Sequence, residues 1–174
     1  MSPGPTGRSD RRGPGVHTGA MGRRLRVLCT STGGVGHVHA LAPIARALRD
    51  RGHDVQWAVA ADGGGAVGAM GFEWSAAGLT TSERYAVASG LDGLMKLPME
   101  ERRGPLFTAV FARAAGPAMQ RDLAPIMDRV RPDVVLRETA ELAAAPMAAA
   151  RSIPLVTVAF SGVLPERARG PASG

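Results

Sequence analysis

The feature that most constrains the fold of this chain is an alternation of short apolar runs with segments of helical periodicity. Apolar runs of strand length cover residues 25–30, 55–60, 72–75, 134–137 and 155–160. Between the runs, apolar residues recur at three- and four-residue steps, as in residues 38–48. This alternation is typical of βαβ units and predicts a Rossmann-like α/β fold with a doubly wound parallel sheet.

The segments between the strands predict helices of different length. The first follows a glycine-rich turn over residues 31–36 and ends at Gly52, and a short helix covers residues 66–70. One or two helices are expected over residues 105–131, interrupted at Gly116-Pro117, and another over residues 138–151. Glycines and prolines break the pattern over residues 79–104, which we expect to be a variable region.

The length of 174 residues allows one domain with a sizeable core. Hydrophobic residues make up 45% of the sequence, and no apolar run approaches the ~20 residues that cross a bilayer. We therefore expect a soluble, cytoplasmic protein without membrane contact. The single cysteine, Cys29, lies in an apolar run and is expected to be a buried thiol without a disulfide partner.

The net charge of +6 is concentrated at the start of the chain. Residues 1–26 hold six arginines against Asp10, so the remaining residues are nearly neutral. This distribution does not favour a nucleic-acid surface on the folded part. We expect a disordered basic tail over residues 1–22, one domain over residues 23–162, and a disordered C-terminal tail over residues 163–174.

The turn over residues 31–36 carries the sequence STGGVG and is followed directly by His37. Glycines between a strand and a helix let a ligand approach the backbone at the carboxyl end of a parallel sheet. The glycines assigned to this cleft loop are Gly33, Gly34 and Gly36. An imidazole at that place can take a proton near neutral pH, as activation of a hydroxyl group requires.

Several motifs together resemble the GT-B glycosyltransferases, specifically the UDP-glycosyltransferase-like actinobacterial enzymes that glycosylate natural products. The resemblance is carried by Gly34-Val35-Gly36-His37, by the helix ending in Arg51-Gly52-His53-Asp54-Val55, and by Arg131-Pro132-Asp133-Val134-Val135 with Arg137-Glu138. Ala40 departs from the pattern, since the family often has proline there. The resemblance covers roughly residues 24–160. Over this range the chain is similar only to the N-terminal, acceptor-binding domain of these enzymes, so a second, donor-binding domain is expected to be missing.

The resemblance implies that His37 removes the proton of an acceptor hydroxyl and that Glu138 orients its ring. It further implies inverting transfer of a sugar from a nucleotide-diphosphate donor to a small, apolar acceptor. No cofactor is implied beyond this co-substrate, and the chain alone is expected to be inactive. An alternative for Glu138 is an acid at a helix start that complements the helix dipole.

The breaker-rich apolar segment over residues 79–111 lies where this family shapes its acceptor site. Candidate acceptor-binding residues are Leu91, Leu94, Met95, Phe107 and also His39, which lies close to His37 after the glycine turn and could line the cleft. We expect His53, His17 and Asp133 to have structural roles or none. Four histidines and one cysteine show no spacing typical of a metal site.

Two other functions remain open at the level of sequence. A NAD-type oxidoreductase fragment would use Gly34-x-Gly36 and Asp62 near the end of the second strand, although the third glycine of that motif is replaced by His39. A non-catalytic module that only binds the acceptor is the second alternative. A phosphate-binding P-loop and a serine nucleophile elbow lack their required residues.

Overall fold

The computed structural model describes residues 23–159. The expectations for residues 1–22, 160–162 and 163–174 lie outside this range. The strands are β1 (Arg26–Ser31), β2 (Asp54–Val59), β3 (Glu73–Ala76), β4 (Val134–Glu138) and β5 (Leu155–Val158). The α-helices are α1 (Val35–Asp50), α2 (Ala61–Ala69), α3 (Thr81–Ser89), α4 (Asp92–Met95), α5 (Met99–Phe107), α6 (Gly116–Val130) and α7 (Ala144–Ala150), and a π-helical segment covers Thr108–Ala115.

The five strands form one parallel sheet in the order β3-β2-β1-β4-β5. Alternate residues of the central strand β1 lie in two cores, one on each face. Val27 and Cys29 pack with residues of α1 and α2, whereas Leu28 packs with residues of α6 and α7. Because both faces of the sheet are covered by helices, its central strands carry buried apolar residues on both faces. The predicted doubly wound α/β fold is confirmed.

The start of α7 corrects one predicted boundary. A helix was expected from Glu138, but Glu138 is the last residue of β4, in register with Val158, and α7 begins six residues later at Ala144. The Glu138 carboxylate accepts the N–H of Ala140, which favours a turn at this position. The expected helix-start acid is therefore at the end of a strand.

The predicted interruption at Gly116-Pro117 is also absent. Helical structure is continuous from Met99 to Val130, and the π segment lies just before the proline. The N–H of Gly116 donates to the carbonyl oxygen of Phe111, five residues earlier, which is the bond of a π turn. The wider turn accommodates Pro117, whose ring would otherwise collide with the preceding turn of an α-helix.

The breaker-rich region is more helical than its sequence suggested, since it holds α3, α4 and α5. Helix α3 begins with a capping box, in which the Thr80 side chain binds the Glu83 N–H and the Glu83 carboxylate binds the Thr80 N–H. The spacing Thr80-x-x-Glu83 was a readable signal for this start. Helix α2 is longer than predicted, since it begins at Ala61 and includes three glycines, of which Gly64 packs closely against the Trp74 ring.

Candidate functional site

The candidate site lies at the carboxyl ends of β1 and β4, which are neighbours in the sheet. Thr32 follows β1, Glu138 ends β4, and His37 lies in the first turn of α1. Since carboxyl ends of parallel strands meet at one edge, residues more than 100 positions apart come together here.

The His37 Nδ1 atom lies 3.3 Å from the Glu138 Oε1 atom. This distance is longer than the ~2.8 Å of a strong charge-assisted hydrogen bond, and such contacts often tighten when substrate binds. The His37 side chain is partly exposed, whereas that of Glu138 is fully buried. The imidazole therefore lies between a buried carboxylate and the open cleft.

Three further donors hold the Glu138 carboxylate. Thr32 donates its N–H at 3.2 Å and its hydroxyl at 2.9 Å, and Ala140 donates its N–H at 2.6 Å. Burial acts to raise the pKa of Glu138, but hydrogen bonds from His37, Ala140 and Thr32 outweigh it, so the pKa lies below its ordinary value. An ionised carboxylate facing Nδ1 favours the tautomer in which Nε2 accepts a proton.

Sequence reasoning missed a second buried glutamate, Glu141, which is 1% exposed. Its carboxylate accepts the Thr30 hydroxyl at 2.7 Å and the N–H groups of Ala143 and Ala144 next to the start of α7. Burial raises the pKa of Glu141 above its ordinary value despite these hydrogen bonds. The helix-start role considered for Glu138 is thus filled by Glu141.

The glycine-rich turn needs two of its three glycines for different reasons. Gly34 has a φ of 113°, a conformation that side chains disfavour, and a Cβ at Gly33 would overlap the carboxylate of Asp62. Gly36 is exposed in the first turn of α1, and a Cβ there would meet nothing within 4 Å. Its assignment to the cleft loop remains a prediction.

A cavity of about 250 Å³ opens beside the site between α3 and the π segment. Thr81, Arg84 and Tyr85 line it from one side, and Val110 and Phe111 from the other. The Phe111 ring centroid lies 6.5 Å from that of His37. A small apolar molecule in this cavity would therefore be close to the imidazole.

The predicted acceptor-binding residues are not among those that line this cavity. Phe107 stacks on Phe111 with 4.9 Å between ring centroids, so it packs against a residue that lines the cavity but does not line the cavity itself. Leu91 and Leu94 are half-buried and Met95 is exposed. His39 is exposed on α1, two positions beyond His37 and so on a different face of the helix. Their proposed contacts with an acceptor remain predictions.

Arg84 is the second residue that the sequence analysis missed. It is 7% exposed, and it donates to the carbonyl oxygens of Leu79 and Gly33 and to the hydroxyl of Thr81. Burial lowers the pKa of Arg84, and the charges of Asp62 and Glu138 act against that shift. No sequence motif marks this arginine, because its partners are on separate loops.

Asp133 and His53, which were expected to be structural, have structural contacts, whereas His17 lies outside the described residues. Asp133 accepts hydrogen bonds from Arg26 and Arg23, and its pKa is far below the ordinary range chiefly because of the Arg26 side chain. The His53 Nδ1 atom accepts the Leu25 N–H. Within residues 23–159 no group of three His, Cys, Asp or Glu side chains is arranged to hold a metal ion, and no helix is long and apolar enough to span a bilayer.

No protein-family model and no curated protein sequence matches this chain. Solved structures do match, and the three described next are glycosyltransferases. SsfS6 from Streptomyces sp. SF2575 is 24% identical with a TM-score of 0.68, over 84% of this chain and 42% of that protein. SnogD from Streptomyces nogalater is 24% identical with a TM-score of 0.63, over 80% and 35%. VinC, solved with dTDP, is 25% identical with a TM-score of 0.61, over 83% and 37%.

These likenesses show a shared fold, that of the Rossmann-like domain of GT-B glycosyltransferases. The chain spans only 35% to 42% of the length of these three solved proteins. More than half of each solved structure therefore has no counterpart among the aligned residues.

Proposed function

We propose that this chain is the acceptor-binding part of a glycosyltransferase and that His37 is its general base. The observation that carries the proposal is the contact of His37 with Glu138 beside the apolar cavity. The fold shared with solved glycosyltransferases supports the same reaction class.

In the proposed reaction, an acceptor hydroxyl donates its proton to His37 Nε2 while its oxygen attacks the anomeric carbon of the donor sugar. The bond from that carbon to the nucleoside diphosphate breaks, and the diphosphate leaves with the electron pair. Direct displacement inverts the anomeric configuration. Glu138 stabilises the imidazolium that forms, as a buried carboxylate does beside a catalytic histidine.

The proposed donor is a nucleoside-diphosphate sugar. SsfS6 has been solved with thymidine diphosphate and VinC with dTDP. We propose that the donor is held by parts equivalent to those of the solved proteins that lie outside the aligned region. The described chain would then supply the acceptor cavity and the base.

Two carboxylates make a dinucleotide at this turn unfavourable. In an NAD-type site the pyrophosphate approaches the glycine turn and the helix N-terminus. Here the Asp62 carboxylate packs on Gly33 and Glu138 accepts the Thr32 N–H, so both negative charges lie near the start of α1. Asp62 also accepts the Thr81 N–H at 2.9 Å, which directs it toward α3. The oxidoreductase alternative has less support than sugar transfer.

The test is to replace the aligned part of VinC by this chain and to incubate the fusion with dTDP-sugars and small hydroxylated acceptors. Mass spectrometry of the products should detect a sugar–acceptor conjugate that the His37→Ala fusion forms far more slowly. A His53→Ala fusion is the matched control and should keep its activity, because His53 follows the other end of α1 and its ring accepts the Leu25 N–H there. Acceptor binding without any product would support the non-catalytic module instead.

A further inference from the structure

Arg84 connects three parts of the candidate site. Its Nη2 atom donates to the Gly33 carbonyl oxygen at 2.6 Å and to the Thr81 hydroxyl at 3.1 Å. Its Nη1 atom donates to the Leu79 carbonyl oxygen at 2.7 Å. A buried guanidinium that binds two separate loops and its own helix fixes their relative positions, because its donors form a planar fork.

The Gly33 carbonyl belongs to the glycine-rich turn that directly precedes His37. Gly34 follows it directly, and a Cβ at Gly34 would lie 3.5 Å from His37 Cδ2 and 3.8 Å from Thr81 Oγ1. The opposite side of the turn is held by Asp62, whose carboxylate packs on Gly33 and accepts the Thr81 N–H. The turn is thus held between α2 and α3, and Arg84 supplies a side-chain hydrogen bond to the backbone of Gly33.

The same arginine lines the cavity beside the imidazole. Its Cζ atom lies 5.9 Å from the centroid of the Phe111 ring, which is 6.5 Å from that of His37. If α3 moved on acceptor binding, Arg84 would therefore transmit that movement to the glycine turn before His37.

We propose that Arg84 is a positioning residue that holds the glycine turn so that His37 Nδ1 faces Glu138. This role rests on the proposed function of His37 as the base. Arg84 acts through the turn, and no contact with the reacting atoms is required of it.

The chain offers a matched control in Arg49. Its guanidinium lies 4.6 Å from the centroid of the Phe72 ring, and its Nη1 donates to the Met70 carbonyl oxygen at 2.9 Å. Arg49 thus resembles Arg84 in its contacts with an aromatic ring and a carbonyl, but it lies at the far end of α1. Arg49→Met removes similar contacts without touching the glycine turn.

The experiment records long-range ¹⁵N–¹H correlations of the histidine rings in the labelled 174-residue chain, with His37 assigned by His37→Ala. In the native chain we expect one His37 species that carries its proton on Nδ1. Arg84→Met should give a tautomer mixture or several His37 species, as should Glu138→Gln. Arg49→Met should leave the His37 correlations unchanged, even if both arginine variants lower the melting temperature.

Unchanged His37 correlations in Arg84→Met would overturn the proposal and leave Arg84 a purely structural residue. If Arg84→Met does not fold, Thr81→Val replaces it in the experiment, because it removes the hydroxyl that accepts from Arg84 Nη2. Thr81→Val should likewise give a tautomer mixture or several His37 species, and unchanged His37 correlations would overturn the proposal.

In an active fusion, Arg84→Met should lower kcat roughly 10- to 100-fold, since small misplacement of a catalytic group is costly, with little change in acceptor KM. A rise in KM at constant kcat would instead make Arg84 an acceptor-binding residue and refute the positioning role. The ring correlations need no transferase activity, so failure of this inference and failure of the proposed function are distinguishable.

Discussion

At the scale of single residues, the two buried glutamates of the site differ in the partners that surround them. Glu138 faces an imidazole and three hydrogen-bond donors, and its pKa lies below the ordinary value. Glu141 has a hydroxyl and two backbone N–H groups, and burial dominates to raise its pKa. The first is suited to stabilise an imidazolium, and the second anchors α7 to β1.

Replacement of His37 tests the proposed base. His37→Ala in the active fusion should lower turnover roughly 10²- to 10⁴-fold, or about 3–5 kcal/mol in activation free energy, which is the span of general base catalysis. Glu138→Gln should reduce turnover less than His37→Ala does. It removes the charge that orients the imidazole, but it keeps the shape of the side chain and leaves the proposed base in place. Steady-state kinetics at saturating acceptor would measure both, and near-native turnover of His37→Ala would show that another group is the base.

Glu141 predicts a pH-dependent stability. A carboxyl whose folded pKa is raised binds its proton more tightly when folded, so its contribution to stability falls as pH rises from the unfolded value of 4.5 to the folded pKa. Glu141→Gln removes this dependence. The free energy of unfolding of Glu141→Gln relative to the native chain should therefore increase with pH in that window, by at most about 1.4 kcal/mol per pH unit.

Urea unfolding at several pH values would measure this change. Glu138→Gln is a control of opposite sign, because a lowered folded pKa stabilises the native chain above 4.5 and the benefit is lost as pH falls through the folded value. Equal pH profiles for the native chain and Glu141→Gln would contradict the prediction.

At the scale of secondary-structure elements, glycine positions determine how closely helices approach the sheet. Helix α2 has three consecutive glycines, and they have different surroundings. A Cβ at Gly64 would overlap the Trp74 ring, whereas a Cβ at Gly65 would meet nothing within 4 Å. Gly64 therefore allows close packing on β3, and Gly65 only weakens the helix.

This difference predicts opposite effects of one substitution at adjacent sites. Gly65→Ala should stabilise the chain by about 0.4–1 kcal/mol, because alanine has less freedom in the unfolded state. Gly64→Ala should destabilise it by about 1–3 kcal/mol through overpacking against Trp74. Thermal unfolding of both variants would measure the difference, and equal melting temperatures would mean that the ring moves aside at no cost.

At the scale of the whole molecule, the aligned chain contains an apolar cavity and the proposed base, and it spans only part of the length of the solved glycosyltransferases. Acceptor and donor recognition are therefore expected to be separable. The carboxylates of Asp62 and Glu138 near the start of α1 further disfavour a diphosphate at the glycine turn.

The 174-residue chain should bind 2-naphthol, a neutral aromatic hydroxyl probe, more tightly than dTDP. Phe111→Ala should weaken naphthol binding roughly tenfold, because aromatic contacts contribute on the order of 1 kcal/mol or more. Phe107→Ala should weaken it less, since Phe107 packs behind Phe111. Calorimetric titration would measure the affinity of the native chain for naphthol and for dTDP and that of each variant for naphthol. Tighter binding of dTDP would place a nucleotide site on this chain.

The sequence by itself determined the fold class and the position of the candidate base. Strands buried on both faces need continuous apolar runs, and each run is local, so β1, β2 and β4 were readable with errors of one or two residues. His37 was readable because the glycine turn and the histidine are adjacent. The resemblance also paired Glu138 with His37, and the carboxyl ends of parallel strands bring both residues to one edge of the sheet.

Only the tertiary structure decided which side chains complete the site. Arg84 contacts Gly33, 51 positions away, and Glu141 contacts Thr30, 111 positions away. Residues so far apart in the sequence form no local motif, because their contacts depend on how whole helices and strands pack. The continuous helix through Gly116-Pro117 also escaped sequence reasoning, and the π segment that accommodates the proline packs against the separate helix α3. Local periodicity sets which residues face a core, but only packing sets which distant residues meet there.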